Sequence, residues 1–295
     1  MIVSMKNKLL LVLFIFLTMI CSMISFFIAQ EATINRYITM NQNRSVSKIT
    51  PTQDAVSPLP KRTIEITAHR GVSQYSPENT LTAINNAIFL KCDYVEIDVQ
   101  ETKDCKLVVF HDDNLERITG LNQSIWDTEF HELQKLDAGS WFHDMFRYEK
   151  IPSLEEVLAL CKEKIKINFD VKADKHNHIV NKLIEQIIKY DFVQNCYITS
   201  TDYNLLAKVK NQNPTIKTGY ITAKKKNIKF DSDVVDMFSI SKTISSKKLV
   251  VKIHESGKLV HVWTVNSKRS MLRMKKYGID NIITNDPQLA INLLS

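Results

Sequence analysis

ITAHRGVSQYSPENTLTAINNAIFLKCDYVEIDVQETKDCKLVVFHDD, residues 66–113, contains the most telling pattern in the chain. It places His69 after one strand-like segment and His111 after another, with several acids between them. Glu96 and Asp98 alternate along the apolar run YVEIDV, so a strand would point both carboxylates to one face, toward the core. Because buried carboxylates are costly unless they are paired or bind a metal ion, this pattern predicts a site that holds a cation.

Strand-like segments recur along the chain with helical stretches between them, which is the pattern of repeated βα units. The nine candidates lie at 64–68, 94–99, 107–110, 166–171, 196–200, 217–221, 237–240, 259–265 and 281–284. Only residues 100–106 separate the second candidate from the third, fewer than a parallel crossover needs, so a hairpin turn joins them. We therefore predict an α/β fold, a TIM-type (β/α)8 barrel with an irregular β2–β3 connection, over residues 63–295.

Helical patterns are clearest at 77–90, 153–164, 178–190, 203–211 and 268–277. At the first of them, Ser76 fits an N-cap and Pro77 the first helical position, so Glu78 and Asn79 are not expected to contact a bound ligand. Residues 113–150 lack a regular period and contain several aromatic residues, which is typical of an insertion that forms a lid or binding loop. A small core packed over one edge of the barrel is an equally good interpretation.

An almost uninterrupted apolar run covers residues 9–29 and follows Lys6 and Lys8. Its length matches the roughly 20 residues that span a bilayer as a helix and exceeds the about 7–15 of a cleaved signal. We predict a transmembrane anchor at 1–30 and a flexible, polar linker at 31–62. Long domains translocate largely regardless of flanking charge, so we expect a single-pass protein of the cell membrane with an extracytoplasmic barrel. A cleaved secretory signal is the alternative.

The chain of 295 residues has a formal net charge of +7 and 44% hydrophobic residues, an ordinary globular composition. Its basic residues are spread along the sequence, and the short cluster at Lys224, Lys225 and Lys226 has no interleaved aromatic residues. We therefore expect no nucleic-acid partner. The cysteines at 92, 105, 161 and 196 show no paired spacing, which argues against a zinc site or a disulfide framework.

Eight blocks of sequence resemble, in order, the signature series of the glycerophosphodiester phosphodiesterase family. They are AHRG (68–71), PENT (77–80), VEIDV (95–99), VVFHD (108–112), IPSLEEVL (151–158), NFDVK (168–172), VWTVN (262–266) and DNIITNDP (280–287). The resemblance covers residues 64–295 and implies hydrolysis of small-molecule glycerophosphodiesters to sn-glycerol 3-phosphate and an alcohol. A lysophospholipase D or related phospholipase, and a non-catalytic barrel that binds polyol phosphates, are the alternatives.

The residue types suit that chemistry, since phosphodiester cleavage needs charge neutralisation, a base and an acid. Histidines titrate near neutral pH, and the resemblance assigns His69 and His111 as the acid–base pair. Glu96 and Asp98, with Asp170 as the third, are the predicted ligands of a divalent ion, Ca²⁺ or Mg²⁺. Asp170 departs from the family pattern, which usually carries glutamate at that place.

Two cations and one aromatic residue complete the site that the resemblance implies. Arg70 and Lys172 resemble the family's phosphate contacts, and a guanidinium matches phosphate oxygens in bidentate fashion. Arg70 could equally pair with a loop carboxylate such as Glu78. Trp263 resembles an aromatic residue that lines the substrate mouth, although packing inside the barrel would also explain it. Cys105 stands where the family usually has a glycine, so either the turn differs or Cys105 tolerates strain.

Overall fold

The computed structural model describes residues 64–294. The predicted anchor at 1–30 and linker at 31–62 lie outside this range, and both stay predictions. Between residues 64 and 294, no helix is both long enough and apolar enough to cross a bilayer.

In the described part of the chain, residues 64–294, nine strands form one sheet, and eight of them close into a ring of parallel strands. The strands are β1 (Glu65–Ala68), β2 (Tyr94–Glu101), β3 (Leu107–Val109), β4 (Lys166–Val171), β5 (Cys196–Ser200), β6 (Lys217–Thr222), β7 (Met237–Ser241), β8 (Leu259–Trp263) and β9 (Asn281–Thr284). β1 pairs with both β2 and β9, which closes the ring. β3 lies outside the ring and pairs antiparallel with β2. The TIM-type barrel with its irregular β2–β3 connection is therefore confirmed.

Helices follow most of the ring strands and cover the outside of the barrel. They are α1 (Leu81–Phe89), α4 (Leu154–Cys161), α5 (Ile179–Lys189), α6 (Tyr203–Gln212), α7 (Lys247–Glu255), α8 (Lys268–Tyr277) and α9 (Pro287–Leu294), with the short α2 (Glu116–Thr119) and α3 (Phe130–Leu133) in the insertion. Among the helices that cover the barrel, the helical patterns in the sequence do not include α9, nor do they include α7. Its start is marked by Ser246, whose hydroxyl accepts from the Leu249 N–H, and Leu249 and Ile253 bury its apolar face.

Helix α1 begins four residues later than the sequence pattern predicts. Its N-cap is Thr80, whose hydroxyl accepts from a backbone N–H of the first turn, so the assignment of Ser76 as N-cap and Pro77 as first helical residue is wrong. Ser76 instead donates its hydroxyl to the Val72 carbonyl at 2.8 Å. Asn79 has a φ of 60°, a left-handed conformation that interrupts any helix before Thr80. The chain before Thr80 is therefore a loop, and its side chains reach the barrel mouth.

The strand register places acids on neighbouring strands side by side. Apolar residues such as Ile97 and Phe169 are fully buried in the core outside the ring. Because side chains alternate along a strand, the residues between them point into the ring. β2 and β4 pair in parallel with Asp98 opposite Asp170. The pairing of β2 with β4 thus brings together Asp98 and Asp170, which are 72 positions apart in the sequence.

The insertion at 113–150 has a hydrophobic cluster of its own. Its buried members, with their neighbours on both sides, are Val108, Phe110, Leu115, Ile118, Ile125, Leu133, Ala138 and Ile151. This finding favours the interpretation as a small core over one edge of the barrel. The same segment also carries side chains to the mouth, as described below.

The turn between β2 and β3 accommodates Cys105 in a conformation that favours glycine. Its φ is 59°, and its N–H donates to the Thr102 carbonyl at 2.9 Å. Lys182 of α5 donates to the Cys105 carbonyl, which ties the turn to the outer helix layer. Of the two alternatives, Cys105 therefore adopts the left-handed turn.

Candidate active site

The carboxyl ends of the ring strands surround a cavity of about 210 Å³. Seven of the eight predicted site residues line it, namely His69, Arg70, Glu96, His111, Asp170, Lys172 and Trp263. The eighth, Asp98, is only 1% exposed and contacts two of the lining residues, Arg70 and Lys172. The fold thus brings all the predicted site residues to one end of the barrel.

Three carboxylates form a compact acidic cluster at this cavity. Glu96, Asp98 and Asp170 each offer an oxygen atom, and these atoms lie within 4.8 Å of one another. Burial and the negative charges of Asp98 and Asp170 raise the pKa of Glu96 well above its ordinary value. The Glu96 carboxylate accepts one hydrogen bond, from the backbone N–H of Arg70 at 2.7 Å. Hard oxygen donors in this number and proximity fit a divalent cation such as Ca²⁺ or Mg²⁺.

Asp98 is the most heavily paired acid of the cluster. Its oxygens lie 2.7 Å from Lys172 Nζ and 3.3 Å from Arg70 Nε, and it accepts a hydrogen bond from Asn79 Nδ2 at 2.8 Å. Burial alone would raise the pKa of Asp98, but Lys172 and Arg70 outweigh it and hold that pKa well below its usual range. Lys172 also lies 2.6 Å from Asp170, so one ammonium group bridges two of the three acids.

Each candidate catalytic histidine is oriented by a neighbour through its Nδ1 atom. His69 Nδ1 lies 2.7 Å from Asn285 Oδ1, and His111 Nδ1 lies 2.6 Å from Asp112 Oδ1. Because an amide or carboxylate oxygen only accepts, Nδ1 carries the proton in both contacts and Nε2 is left for other partners. Burial, reinforced by Arg70, lowers the pKa of His69 to about 4, so His69 is neutral near pH 7.

Asn79 and Asn285 contact the predicted site but were given no role from the sequence, whereas Glu78 is the loop carboxylate that Arg70 was expected to pair with as the alternative to phosphate. Asn79 holds Asp98, Glu78 accepts from Arg70 Nη1 at 2.8 Å, and Asn285 orients His69. Glu78 and Asn79 do not line the 210 Å³ cavity and act through other side chains. The polar sequence at 76–79 was the available signal, but its pattern also fits the start of a helix.

Trp263 forms part of the apolar side of the cavity. Its indole N–H donates to the Ser239 carbonyl at 2.9 Å, which fixes the ring at the end of β8. Ile221 and Ile283 line the same cavity. One side of the cavity is therefore charged and another apolar, an arrangement suited to a substrate with a phosphate and a carbon skeleton.

Comparison with known proteins identifies the family of this chain. A model of the glycerophosphoryl diester phosphodiesterase family matches residues 69–289. The chain belongs to this family. A glycerophosphodiester phosphodiesterase of Caldanaerobacter subterraneus is 34% identical over 243 residues, which cover 78% of this chain and 97% of that protein. A phosphodiesterase of Oleispira antarctica, solved in complex with the product sn-glycerol-3-phosphate, matches with a TM-score of 0.73 at 27% identity and covers 78% of this chain and 96% of its own.

A lysophospholipase D of Homo sapiens matches a shorter part of the chain. It is 32% identical over 161 residues, which cover 47% of this chain and 50% of that protein.

Within the glycerophosphoryl diester phosphodiesterase family, the chain is an enzyme that hydrolyses glycerophosphodiesters, as the sequence predicts. The family is generally metal-dependent, and the acidic cluster of Glu96, Asp98 and Asp170 could hold the ion.

Proposed function

We propose that this protein is a metal-dependent glycerophosphodiester phosphodiesterase that releases sn-glycerol 3-phosphate and an alcohol, with His69 and His111 as its acid–base pair. The observation that carries the proposal is the shared cavity, which both histidines line together with Glu96, Asp170 and the phosphate-binding candidates. The product bound in the Oleispira antarctica relative supports the same product here.

The acidic cluster would hold the divalent ion, which supplies positive charge to the phosphoryl oxygens when bound. The donor set fits because three carboxylates lie close together at the cavity, and burial and the other two acids raise the pKa of Glu96. Asp170 is one methylene shorter than the glutamate usual in the family, and Lys172 already bridges Asp98 and Asp170. We propose Ca²⁺ or Mg²⁺ as the ion.

The remaining side chains divide the acid–base and binding work between them. Neutral His69 has its Nδ1 proton committed to Asn285, so Nε2 is available to take a proton from the attacking glycerol hydroxyl. Attack of that hydroxyl on phosphorus forms a cyclic phosphate and breaks the bond to the leaving alcohol, which His111 protonates. The two histidines exchange roles when water opens the cyclic phosphate to give sn-glycerol 3-phosphate. Arg70 and Lys172 bind phosphate oxygens, and Trp263 packs against the carbon skeleton.

The test is turnover of glycerophosphocholine by the purified full-length chain with calcium, magnesium or manganese, compared with excess EDTA. We expect release of sn-glycerol 3-phosphate that stops when the metal is removed. Binding of glycerol phosphate without hydrolysis under every metal would instead establish the non-catalytic barrel. Hydrolysis that is unchanged in EDTA would refute the metal dependence.

A lysophospholipase D activity is the second candidate, because the insertion presents aromatic side chains to solvent. Trp141 is 39% exposed and Tyr148 is 74% exposed. Exposed aromatic residues suit contact with a lipid surface or an acyl chain. A comparison of kcat/KM for glycerophosphocholine and lysophosphatidylcholine separates the two candidates, since a clear preference for the lipid substrate would replace the first proposal.

The proposed location is the cell membrane, with residues 1–30 as a single-pass anchor and the barrel on the extracytoplasmic side. This proposal rests on the apolar run at 9–29. Recovery of the protein in the membrane fraction, with the barrel digested by protease added outside intact spheroplasts, is the expected result. Recovery in the soluble fraction would contradict it.

A further inference from the structure

Arg117, in the short helix α2 of the insertion, binds two carboxylates that belong to different loops. Its Nε lies 2.5 Å from Asp112 Oδ2, and its Nη2 lies 2.7 Å from Glu78 Oε1. A third nitrogen, Nη1, donates to Glu78 Oε2 at 3.3 Å. Glu78 belongs to the loop after β1, and Asp112 belongs to the loop after β3. Arg117 therefore cross-links two loops that converge on the barrel mouth.

Each of these carboxylates also holds a residue of the proposed catalytic site. Asp112 contacts His111 Nδ1 at 2.6 Å, and Glu78 contacts Arg70 Nη1 at 2.8 Å. Arg70 in turn lies 3.3 Å from Asp98. The result is a continuous chain of alternating charges from the acidic cluster to His111, with Arg117 at the link between the two loops.

The positive charge of Arg117 stabilises the ionised forms of Glu78 and Asp112. Burial alone would raise the pKa of Glu78 and of Asp112, but hydrogen bonds from Arg117 are the largest opposing influence on both and bring each pKa below its ordinary value. Without Arg117, two partly buried carboxylates would face each other across the loops with less compensation. We expect them to separate and to carry His111 and Arg70 with them.

We propose that Arg117 is a positioning residue that fixes His111 relative to Arg70, so that the insertion sets the catalytic rate of the barrel. Arg117 does not line the 210 Å³ cavity and acts through Asp112 and Glu78. The inference rests on the proposed function. This positioning role is specific to arginine, because the planar guanidinium group supplies three donor nitrogens to the two carboxylates, whereas a lysine side chain has a single nitrogen.

A purely structural role is the competing explanation, since the Arg117 guanidinium also lies 5.6 Å from the centre of the Trp141 ring. The experiment compares full-length R117A and R117K with the control R147A. Arg147 is an exposed arginine of the same insertion whose ion pair is with Asp144, away from the cavity. The control removes the same charge from the same segment.

We expect R117A to lower kcat for glycerophosphocholine by about 100-fold, as a misplaced catalytic group does, with a much smaller change in KM. R117K should recover part of that loss, and added guanidinium should restore R117A at concentrations that leave the parent enzyme unaffected. R147A should match the parent enzyme. A parent-like kcat in R117A would overturn the inference, and so would a loss that neither lysine nor guanidinium restores.

A second measurement keeps this test separate from that of the proposed function. The ¹H–¹⁵N resonances of the His111 ring report the Nδ1 contact whether or not the protein turns over any substrate. We expect them to shift in R117A and not in R147A. Unchanged ring resonances in R117A would overturn the inference, whereas a parent enzyme without glycerophosphodiester turnover would overturn the proposed function alone.

Discussion

His261 makes the folded barrel sensitive to acid, and replacing it with phenylalanine should remove that sensitivity. The residue is 2% exposed inside the ring, and neither ring nitrogen has a hydrogen-bond partner among the described residues. Burial lowers the pKa of His261 to about 4, with a smaller opposing effect from Asp280 and a smaller reinforcing one from Lys217. Its ring packs edge-on against Tyr197 at 5.2 Å between centroids, a contact that phenylalanine can keep.

The direction and size of the effect follow from proton linkage. Between pH 6.5 and 4 the unfolded chain protonates this histidine and the folded chain does not, so stability falls as the pH is lowered through that window. The full difference is worth about 3 kcal/mol at and below pH 4, at about 1.4 kcal/mol per pKa unit. Between pH 7 and pH 5 the parent should lose about 2 kcal/mol through His261.

The assay is urea unfolding of full-length parent and His261→Phe at pH 7, 6 and 5, in excess EDTA so that metal binding does not contribute. Groups common to both proteins cancel when the two pH dependences are subtracted. The stability difference at pH 7 reflects packing of the larger ring and is not part of the prediction. Equal pH dependence in the two proteins would show that His261 is protonated or solvated in the folded state, against the burial argument.

Three further predictions concern the site and its loop. His69→Ala and His111→Ala should each lower kcat at least about 100-fold while the melting temperature stays near that of the parent, and parent-like turnover would refute their roles. Asp170→Glu should keep activity or tighten metal binding in a calorimetric titration, and total loss of binding would show that the shorter acid is required. Gly71→Ala, whose new Cβ would lie 2.5 Å from the Ala83 carbonyl carbon at a φ of +80°, should lose about 2 kcal/mol or more in urea unfolding. Gly257→Ala, with a φ of +75° and no atom within 4 Å of the new Cβ, should lower the free energy of unfolding by about 1 kcal/mol. An equal loss in the two variants would mean that the structure relieves the clash at residue 71.

The strands and the acidic cluster could be predicted because their signals are local. Alternation of apolar and polar residues along β2 determines that Glu96 and Asp98 share a face, and the same rule applied to β4 places Asp170 on the corresponding face. The parallel ladder then sets Asp98 opposite Asp170 without further information. Periodicity in two short segments was therefore enough to anticipate the three-carboxylate cluster.

The parts that could not be predicted depend on contacts between distant residues. Ser76 and Pro77 carry a valid helix-start signal, but the loop hydrogen bond of Ser76 and the left-handed Asn79 override it. Arg117 contacts Glu78 across 39 positions of sequence, and no periodicity marks that pair. The burial of His261 likewise could not be predicted, because it depends on the closed ring of strands that surrounds the side chain.

The balance of charge at the barrel mouth connects these separate contacts. Carboxylates and cations alternate along one chain of ion pairs through Asp170, Lys172, Asp98, Arg70, Glu78, Arg117 and Asp112. With Glu96 the site has five carboxylates against three cations, an excess of two negative charges when all are ionised. Burial and the neighbouring acids Asp98 and Asp170 therefore raise the pKa of Glu96. Unpaired buried carboxylates are costly, and one divalent cation bound at the acidic cluster would supply the missing charge. Lys172 contacts two of the acids at that cluster, Asp98 and Asp170. Replacing Lys172 with methionine should therefore increase the affinity of the cluster for the metal and weaken the binding of phosphate. A decrease in both affinities would show that Lys172 is needed to assemble the acids.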